Sequence, residues 1–78
     1  MRLHEENLKQ QRMMVENLKK LRENRNWSIE DLSQISGISK DILTDVEREK
    51  DFGLEVLFRL CRIYGIKVHE IFAPLEYG

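Results

Sequence analysis

The side chains best suited to catalysis or metal binding are few and widely separated in this sequence. The single cysteine, Cys61, cannot form an internal disulfide or a cysteine-rich zinc site, and the two histidines, His4 and His69, lie far apart. The sequence has no nucleophile–base set, no glycine-rich phosphate loop and no ligand cluster, and it is too short for a deep pocket. We therefore expect no enzymatic activity, no metal and no cofactor.

Residues 28–47, SIEDLSQISGISKDILTDVE, have the pattern of two short helices that meet at Gly37. Ser28 can cap the first helix, with Asp31 completing a capping box, and Ser39 can cap the second. Gly37 can take the left-handed conformation of a tight turn between them. Apolar residues at helical spacing can share one core: Leu32, Ile35, Ile38, Leu43 and Val46. This is the pattern of a helix-turn-helix, in which residues 39–48 would face a DNA major groove.

Helices on both sides of this segment must hold it in place. The first is predicted to end near Asn26, which tolerates a left-handed cap. Its buried face would comprise Met14, Leu18 and Leu21. A later helix is predicted between Gly53 and Gly65. Its apolar face would comprise Leu54, Leu57, Phe58, Leu60, Cys61 and Tyr64. A last short helix is predicted at residues 69–72, before Pro74 ends the regular structure.

Length and composition predict a single all-α domain. The 78 residues include one proline and are rich in good helix formers. No apolar run is long enough to span a membrane and the charged start is not a secretory signal, so we expect no membrane partner and a cytoplasmic location. Three regions are predicted: residues 1–15 as an extension of the first helix or a flexible arm, 16–73 as the helix-turn-helix domain, and 74–78 as an apolar tail.

The net charge of −1 conceals an asymmetry along the chain. Residues 1–26 carry seven Lys and Arg against four Glu, whereas residues 27–78 carry six basic and ten acidic side chains. Attraction to phosphates drives nucleic-acid binding, and the basic half is the first helix. Lys9, Arg12, Lys19 and Lys20 could supply that attraction if the helix extends toward DNA. Otherwise they form a solvated helix face.

In order and spacing, residues 16–73 resemble the Cro/C1-type helix-turn-helix family, also called xenobiotic-response-element-like regulators. The motifs that carry the resemblance are LKKLR at 18–22, WSIEDLS at 27–33, GIS at 37–39, LTDVER at 43–48, LEVL at 54–57, YGI at 64–66 and VHEIF at 68–72. The resemblance implies a compact five-helix bundle that binds double-stranded DNA as a homodimer, often as a repressor. Residues 1–15 lie outside it.

The resemblance also implies which residues would contact DNA. They are Ile29, Ser39, Lys40, Asp41, Thr44, Asp45, Arg48 and Lys50. The base-reading positions among them are Lys40, Asp41, Thr44 and Asp45. Lysine can donate to guanine and aspartate can accept from cytosine N4. Asp41 and Asp45 lie one helical turn apart, where phosphates would approach, so the alternative is a solvated acidic face without base contacts.

Four positions are informative when they are compared with the residues usual in the family. Arg22 and Glu47 occupy the places of an arginine and a glutamate that pair in the family, and would either fasten two helices together or be solvated surface charges. Ile29 replaces a frequent glutamine, and its side chain cannot hydrogen-bond to a phosphate. Glu49 replaces a frequent glycine, so a left-handed backbone there would be strained by about 1 kcal/mol.

The end of the sequence is unusually apolar. Its apolar residues are Val68, Ile71, Phe72, Leu75 and Tyr77. They are too many for one small core, so some are predicted to form a two-fold homodimer contact. The alternative is that Leu75 and Tyr77 fold back as a lid.

The sequence thus predicts a DNA-binding transcriptional regulator, acting as a homodimeric repressor on a palindromic operator. The alternative is a protein-interaction module on the same fold, antitoxin-like or anti-repressor, with weak or no DNA binding. That alternative is favoured by the acidic second helix of the helix-turn-helix, by Ile29 and by the apolar tail.

Overall fold

A computed structural model describes residues 2–50 and 53–74, with side chains from residue 9 onward, and every regular element within them is helical. The α-helices are α1 (Arg2–Asn24), α2 (Ile29–Ser36), α3 (Lys40–Glu47) and α4 (Leu54–Tyr64), and a 3-10 helix, η1 (Val68–Phe72), follows. The prediction of an all-α fold is confirmed. The prediction of a five-helix bundle is not matched exactly, because the described residues form four α-helices and the fifth element is a 3-10 helix. η1 has five residues before the extended backbone of Ala73, too few to offset the cost of starting an α-helix.

The helix-turn-helix begins and ends at the residues that the sequence predicts. The Ser28 hydroxyl accepts from the Asp31 N–H at 3.0 Å, and the Asp31 carboxylate accepts from the Ser28 N–H at 2.9 Å. The Ser39 hydroxyl accepts from the Ile42 N–H at 3.3 Å. Left-handed backbone occurs at the predicted helix ends, with φ of 58° at Asn26, 75° at Gly37 and 71° at Gly65. Gly37 and Ser39 thus form the turn that connects α2 to α3.

One apolar core joins all five elements, with α1 packed against η1 and α3, and α2 packed against α3 and α4. Its buried members are Met14, Val15, Leu18, Leu21, Leu32, Ile38, Leu43, Val46, Leu57, Leu60, Cys61, Tyr64 and Ile71. Three residues predicted to be buried are instead exposed: Ile35 at 50%, Leu54 at 68% and Phe58 at 48%. Each lies at the edge of an apolar stripe, and in the described chain no neighbouring element covers that edge.

A buried asparagine, Asn17, holds η1 against α1. Asn17 is 2% exposed, and its Nδ2 donates to the carbonyl oxygens of Ile71 at 2.6 Å and Ala73 at 2.7 Å. The predicted buried face of α1 does not include Asn17, although its spacing indicates that it lies there. Asn17 follows Met14 by three residues and precedes Leu21 by four, which places it on the same face of the helix.

The position of η1 corrects part of the predicted dimer contact. Ile71 is 0% exposed and belongs to the core of its own chain, so the prediction that it contacts a second copy is wrong. Val68 is half-buried against the same core, whereas Phe72 is 39% exposed. The other two residues of that prediction, Leu75 and Tyr77, lie outside the described residues.

The corner between α1 and α2 is held by an arginine and two aromatic rings. The Arg25 guanidinium lies 5.4 Å from the ring centroid of Trp27 and 5.0 Å from that of Tyr64, and its Nη2 donates to the Tyr64 carbonyl at 3.1 Å. The two rings stack with centroids 6.1 Å apart. Burial raises the pKa of Tyr64 to about 12, and within the described residues its hydroxyl has no hydrogen-bond partner.

Candidate nucleic-acid interface

The four predicted base-reading residues lie together on α3. Lys40 and Asp41 are exposed, while Thr44 and Asp45, one turn further along the same face, are half-buried. The opposite face of α3 is buried in the core. A short helix anchored in this way presents polar side chains to solvent at fixed positions.

The predicted phosphate contacts lie at the two ends of α3. Ser39 caps its first turn and is exposed. At its other end the Arg48 N–H donates to the Thr44 carbonyl at 3.0 Å, and the Lys50 N–H donates to the Asp45 carbonyl at 2.9 Å. These bonds close the end of the helix and leave the Arg48 and Lys50 side chains exposed.

Ile29 differs from the other predicted contact residues. It is the first residue of α2 and is half-buried against the core. Its side chain contributes to packing, in keeping with its lack of hydrogen-bonding atoms. A contact between Ile29 and DNA stays a prediction.

A bidentate ion pair fastens α1 to the end of α3. Arg22 donates from Nε to Glu47 Oε2 at 2.7 Å and from Nη2 to Glu47 Oε1 at 3.0 Å, and a third donor, Nη1, reaches the Trp27 carbonyl at 2.7 Å. The two side chains are only 13% and 15% exposed. The hydrogen bonds to Glu47 raise the pKa of Arg22 above its ordinary value. The pair is therefore structural, and the alternative of solvated surface charges is wrong.

The loop that follows α3 keeps the left-handed geometry at Glu49, where φ is 61°. The Glu49 N–H donates to the Val46 carbonyl at 3.2 Å, which holds the residue in this conformation. A non-glycine residue there is strained by about 1 kcal/mol. The predicted strain at this position is thus present.

Within the described part of the chain, no three His, Cys, Asp or Glu side chains are grouped so that they could hold a metal ion. Cys61 is buried, and burial raises the pKa of its thiol. None of the helices in the described residues is both long enough and apolar enough to cross a membrane.

Comparison with known proteins places these features in one family. The helix-turn-helix family pattern matches residues 18–71, from the second half of α1 into η1. The HTH-type transcriptional regulator DdrOP3 of Deinococcus deserti is 34% identical over 65 residues, or 82% of this chain and 50% of that protein. The chain thus spans about half the length of this curated relative. No solved structure gave a significant match. Because the family pattern covers most of the chain, and the structure has the two capped helices and the turn that define it, this chain belongs to the Cro/C1-type helix-turn-helix family.

Proposed function

We propose that this chain is a sequence-specific regulator of transcription that binds double-stranded DNA. It acts as a repressor, as a homodimer on an approximately palindromic operator in the cytoplasm, and performs no chemistry. The observation that carries the proposal is the exposed polar face of α3, which the Ser39 cap and the Arg22–Glu47 pair hold at a fixed angle. The name of the similar Deinococcus protein, a transcriptional regulator, supports it.

The side chains on α3 match the chemistry of base edges in the major groove. Lys40 can donate to O6 and N7 of guanine, and Thr44 can donate, accept or contact a thymine methyl group. Asp41 and Asp45 accept from cytosine N4, so each would favour a cytosine on the strand it faces. Arg48 and Lys50 would hold the phosphate backbone and set the register of the helix.

Two copies are needed to read a palindrome. Their α3 helices would enter successive major grooves about 34 Å apart. Among the described residues of the apolar end, Phe72 has the exposure that a two-fold contact requires, with Val68 half-buried beside it in η1. Leu75 and Tyr77 belong to the same proposed contact.

The proposal is tested by a fluorescence-anisotropy titration against duplex DNA from upstream of the gene, with a scrambled duplex as control. A preference for the upstream duplex that survives near-physiological salt supports it. K40A and T44A should reduce that preference, because each removes a base contact. K50A should weaken binding to both duplexes alike, because a phosphate contact carries no sequence information. Equal binding of both duplexes by the unaltered protein would count against sequence-specific recognition.

A protein-interaction module is the second candidate function, and exposed apolar side chains favour it. Leu54 and Phe58 are adjacent on one face of α4 and are 68% and 48% exposed, and Ile35 at the end of α2 is 50% exposed. Salt separates the two functions, since a protein held by several phosphates loses affinity steeply between about 50 and 200 mM salt. Failure to bind any member of a set of randomised duplexes at low salt would favour this second function.

A further inference from the structure

A groove of about 520 Å³ lies where α1 passes the end of α3. Three cations of α1 line it, Lys9, Arg12 and Lys19, and so do three carboxylates, those of Glu16, Glu47 and Glu49. Two of the carboxylates have partners outside the groove, because Glu47 pairs with Arg22 and Glu16 with Lys20. Glu49, from the loop after α3, is the carboxylate that pairs with a cation of the groove itself. Lys9 and Arg12 precede the part of the chain that the family pattern covers. The groove therefore combines residues that precede the matched part of the chain with the edge of the helix-turn-helix.

Two contacts fix α1 against this loop. Arg12 Nε lies 3.6 Å from Glu49 Oε1, and Gln11 Nε2 donates to the Glu49 carbonyl at 3.4 Å. The side chains of Arg12 and Glu49 are 73% and 44% exposed. An ion pair as exposed as this one is weak, and another anion can compete for the arginine.

The groove lies beside the end of α3 that would face a phosphate backbone. Glu47 and Glu49, which line the groove, alternate along the chain with Arg48 and Lys50, the residues proposed to hold the phosphate backbone. The groove is therefore adjacent to those proposed phosphate contacts. α3 itself carries more acidic than basic side chains, so cations from another element are needed there.

We propose that this groove is a second phosphate-binding surface, in which Arg12 and Lys9 hold the DNA backbone and Glu49 competes with the phosphate for Arg12. The inference rests on the proposed function, because the phosphates belong to the DNA that α3 would read. Glu49 lowers sequence-independent affinity, so that binding depends more on the base contacts of α3.

The first test uses a duplex of about 20 base pairs with arbitrary sequence, titrated between about 50 and 200 mM salt, because phosphate contacts need no operator. R12A should weaken binding and remove about one unit from the slope of log affinity against log salt. If one phosphate contact is lost, the advantage of the native protein over R12A should be about 3.5 times larger at about 50 mM salt than at about 200 mM salt. K9A should act in the same direction. K67A removes an exposed cation that does not line the groove, and should leave the slope unchanged.

The second test separates competition for Arg12 from simple repulsion of phosphates. E49Q should strengthen binding to the same duplex in the native chain, but not in the R12A background, because its effect acts through Arg12. E23Q is the matched control, since Glu23 is an exposed carboxylate of α1 that does not line the groove. It should not reproduce the E49Q effect.

The outcomes distinguish this inference from the proposed function. If the native protein binds the duplex while R12A and K9A match it in affinity and slope, the groove does not bind phosphate. If E49Q strengthens binding equally with and without Arg12, Glu49 does not compete for that arginine. Failure of the native protein to bind any duplex at low salt would overturn the inference and the proposed function together. Circular dichroism of each variant confirms that the exposed substitutions leave the fold intact.

Discussion

Separating the Arg22–Glu47 pair should destabilise the protein more than any surface ion pair would. Arg22→Met keeps the aliphatic stem but leaves the Glu47 carboxylate, which is 15% exposed, without its two charged donors. Losing one partner of a buried ion pair lowers the free energy of unfolding by about 3–5 kcal/mol. Because the Glu47 side chain keeps some contact with water, we expect a loss near the lower end of that range, about 3 kcal/mol. For a domain of this size, that corresponds to a fall in Tm of about 12–24 °C.

Urea unfolding followed by circular dichroism measures this free energy in a double-mutant cycle. Glu47→Gln should cost about 2 kcal/mol, because Arg22 keeps its bond to the Trp27 carbonyl. The double variant R22M/E47Q should be less destabilised than the sum of the single variants by about 1–2 kcal/mol, since it leaves no unpaired charge. Lys20→Met is the control, because its pair with Glu16 is 3.9 Å long and largely exposed, and it should cost under about 0.5 kcal/mol. An R22M variant as stable as K20M, or single variants whose costs simply add, would show that the pair does not stabilise the fold.

Three further predictions concern the scaffold. Asn17→Ala removes both hydrogen bonds to the Ile71 and Ala73 carbonyls and should lower the free energy of unfolding by about 2–3 kcal/mol in urea. Gly37→Ala meets no atom within 4 Å, so backbone strain alone should limit its cost to about 1–2 kcal/mol, measured by thermal unfolding. The native pKa of Tyr64 is raised to about 12 from an ordinary value of 10, so its ionisation in the unfolded chain should lower stability as the pH rises from 10 toward 12. Tyr64→Phe should abolish that loss of stability at high pH. Because it removes a buried hydroxyl, it should leave stability at neutral pH unchanged or about 1 kcal/mol higher. A stability that falls equally in both proteins between about pH 10 and 12 would contradict this.

The helix-turn-helix was predictable because its boundaries are encoded locally. Ser28 and Ser39 satisfy the first N–H groups of their helices, and Gly37 permits the left-handed turn at negligible strain. Each of these effects acts over three or four residues, so the sequence pattern contains all the information needed. The Arg22–Glu47 pair could not be predicted in this way, since no local pattern links residues 25 positions apart. It was predicted from the family resemblance.

Tertiary context decided the features that the sequence left open. Helical spacing put Ile35 and Phe58 on apolar stripes, but only the packed structure determines which edge of a stripe is covered. A polar residue on a buried face, such as Asn17, becomes favourable only when carbonyl groups from η1 meet it. The contact between Arg12 and Glu49 likewise depends on how far α1 extends past α3. The covered edges of the stripes and the Arg12–Glu49 contact are long-range effects with no local signal in the sequence, whereas local spacing indicates for Asn17 only that it lies on the buried face of α1.

Selection from a pool of randomised duplexes, followed by sequencing, tests most directly whether α3 reads DNA. We expect the native protein to enrich an inverted repeat whose half-sites lie about 10 base pairs apart, centre to centre. K40A and T44A should each lose preference at one base pair of every half-site, at a cost of about 1–3 kcal/mol, while K50A should enrich the same repeat. Enrichment of no sequence, or an unchanged motif in K40A and T44A, would contradict the assignment of the polar face of α3 as a base-reading surface.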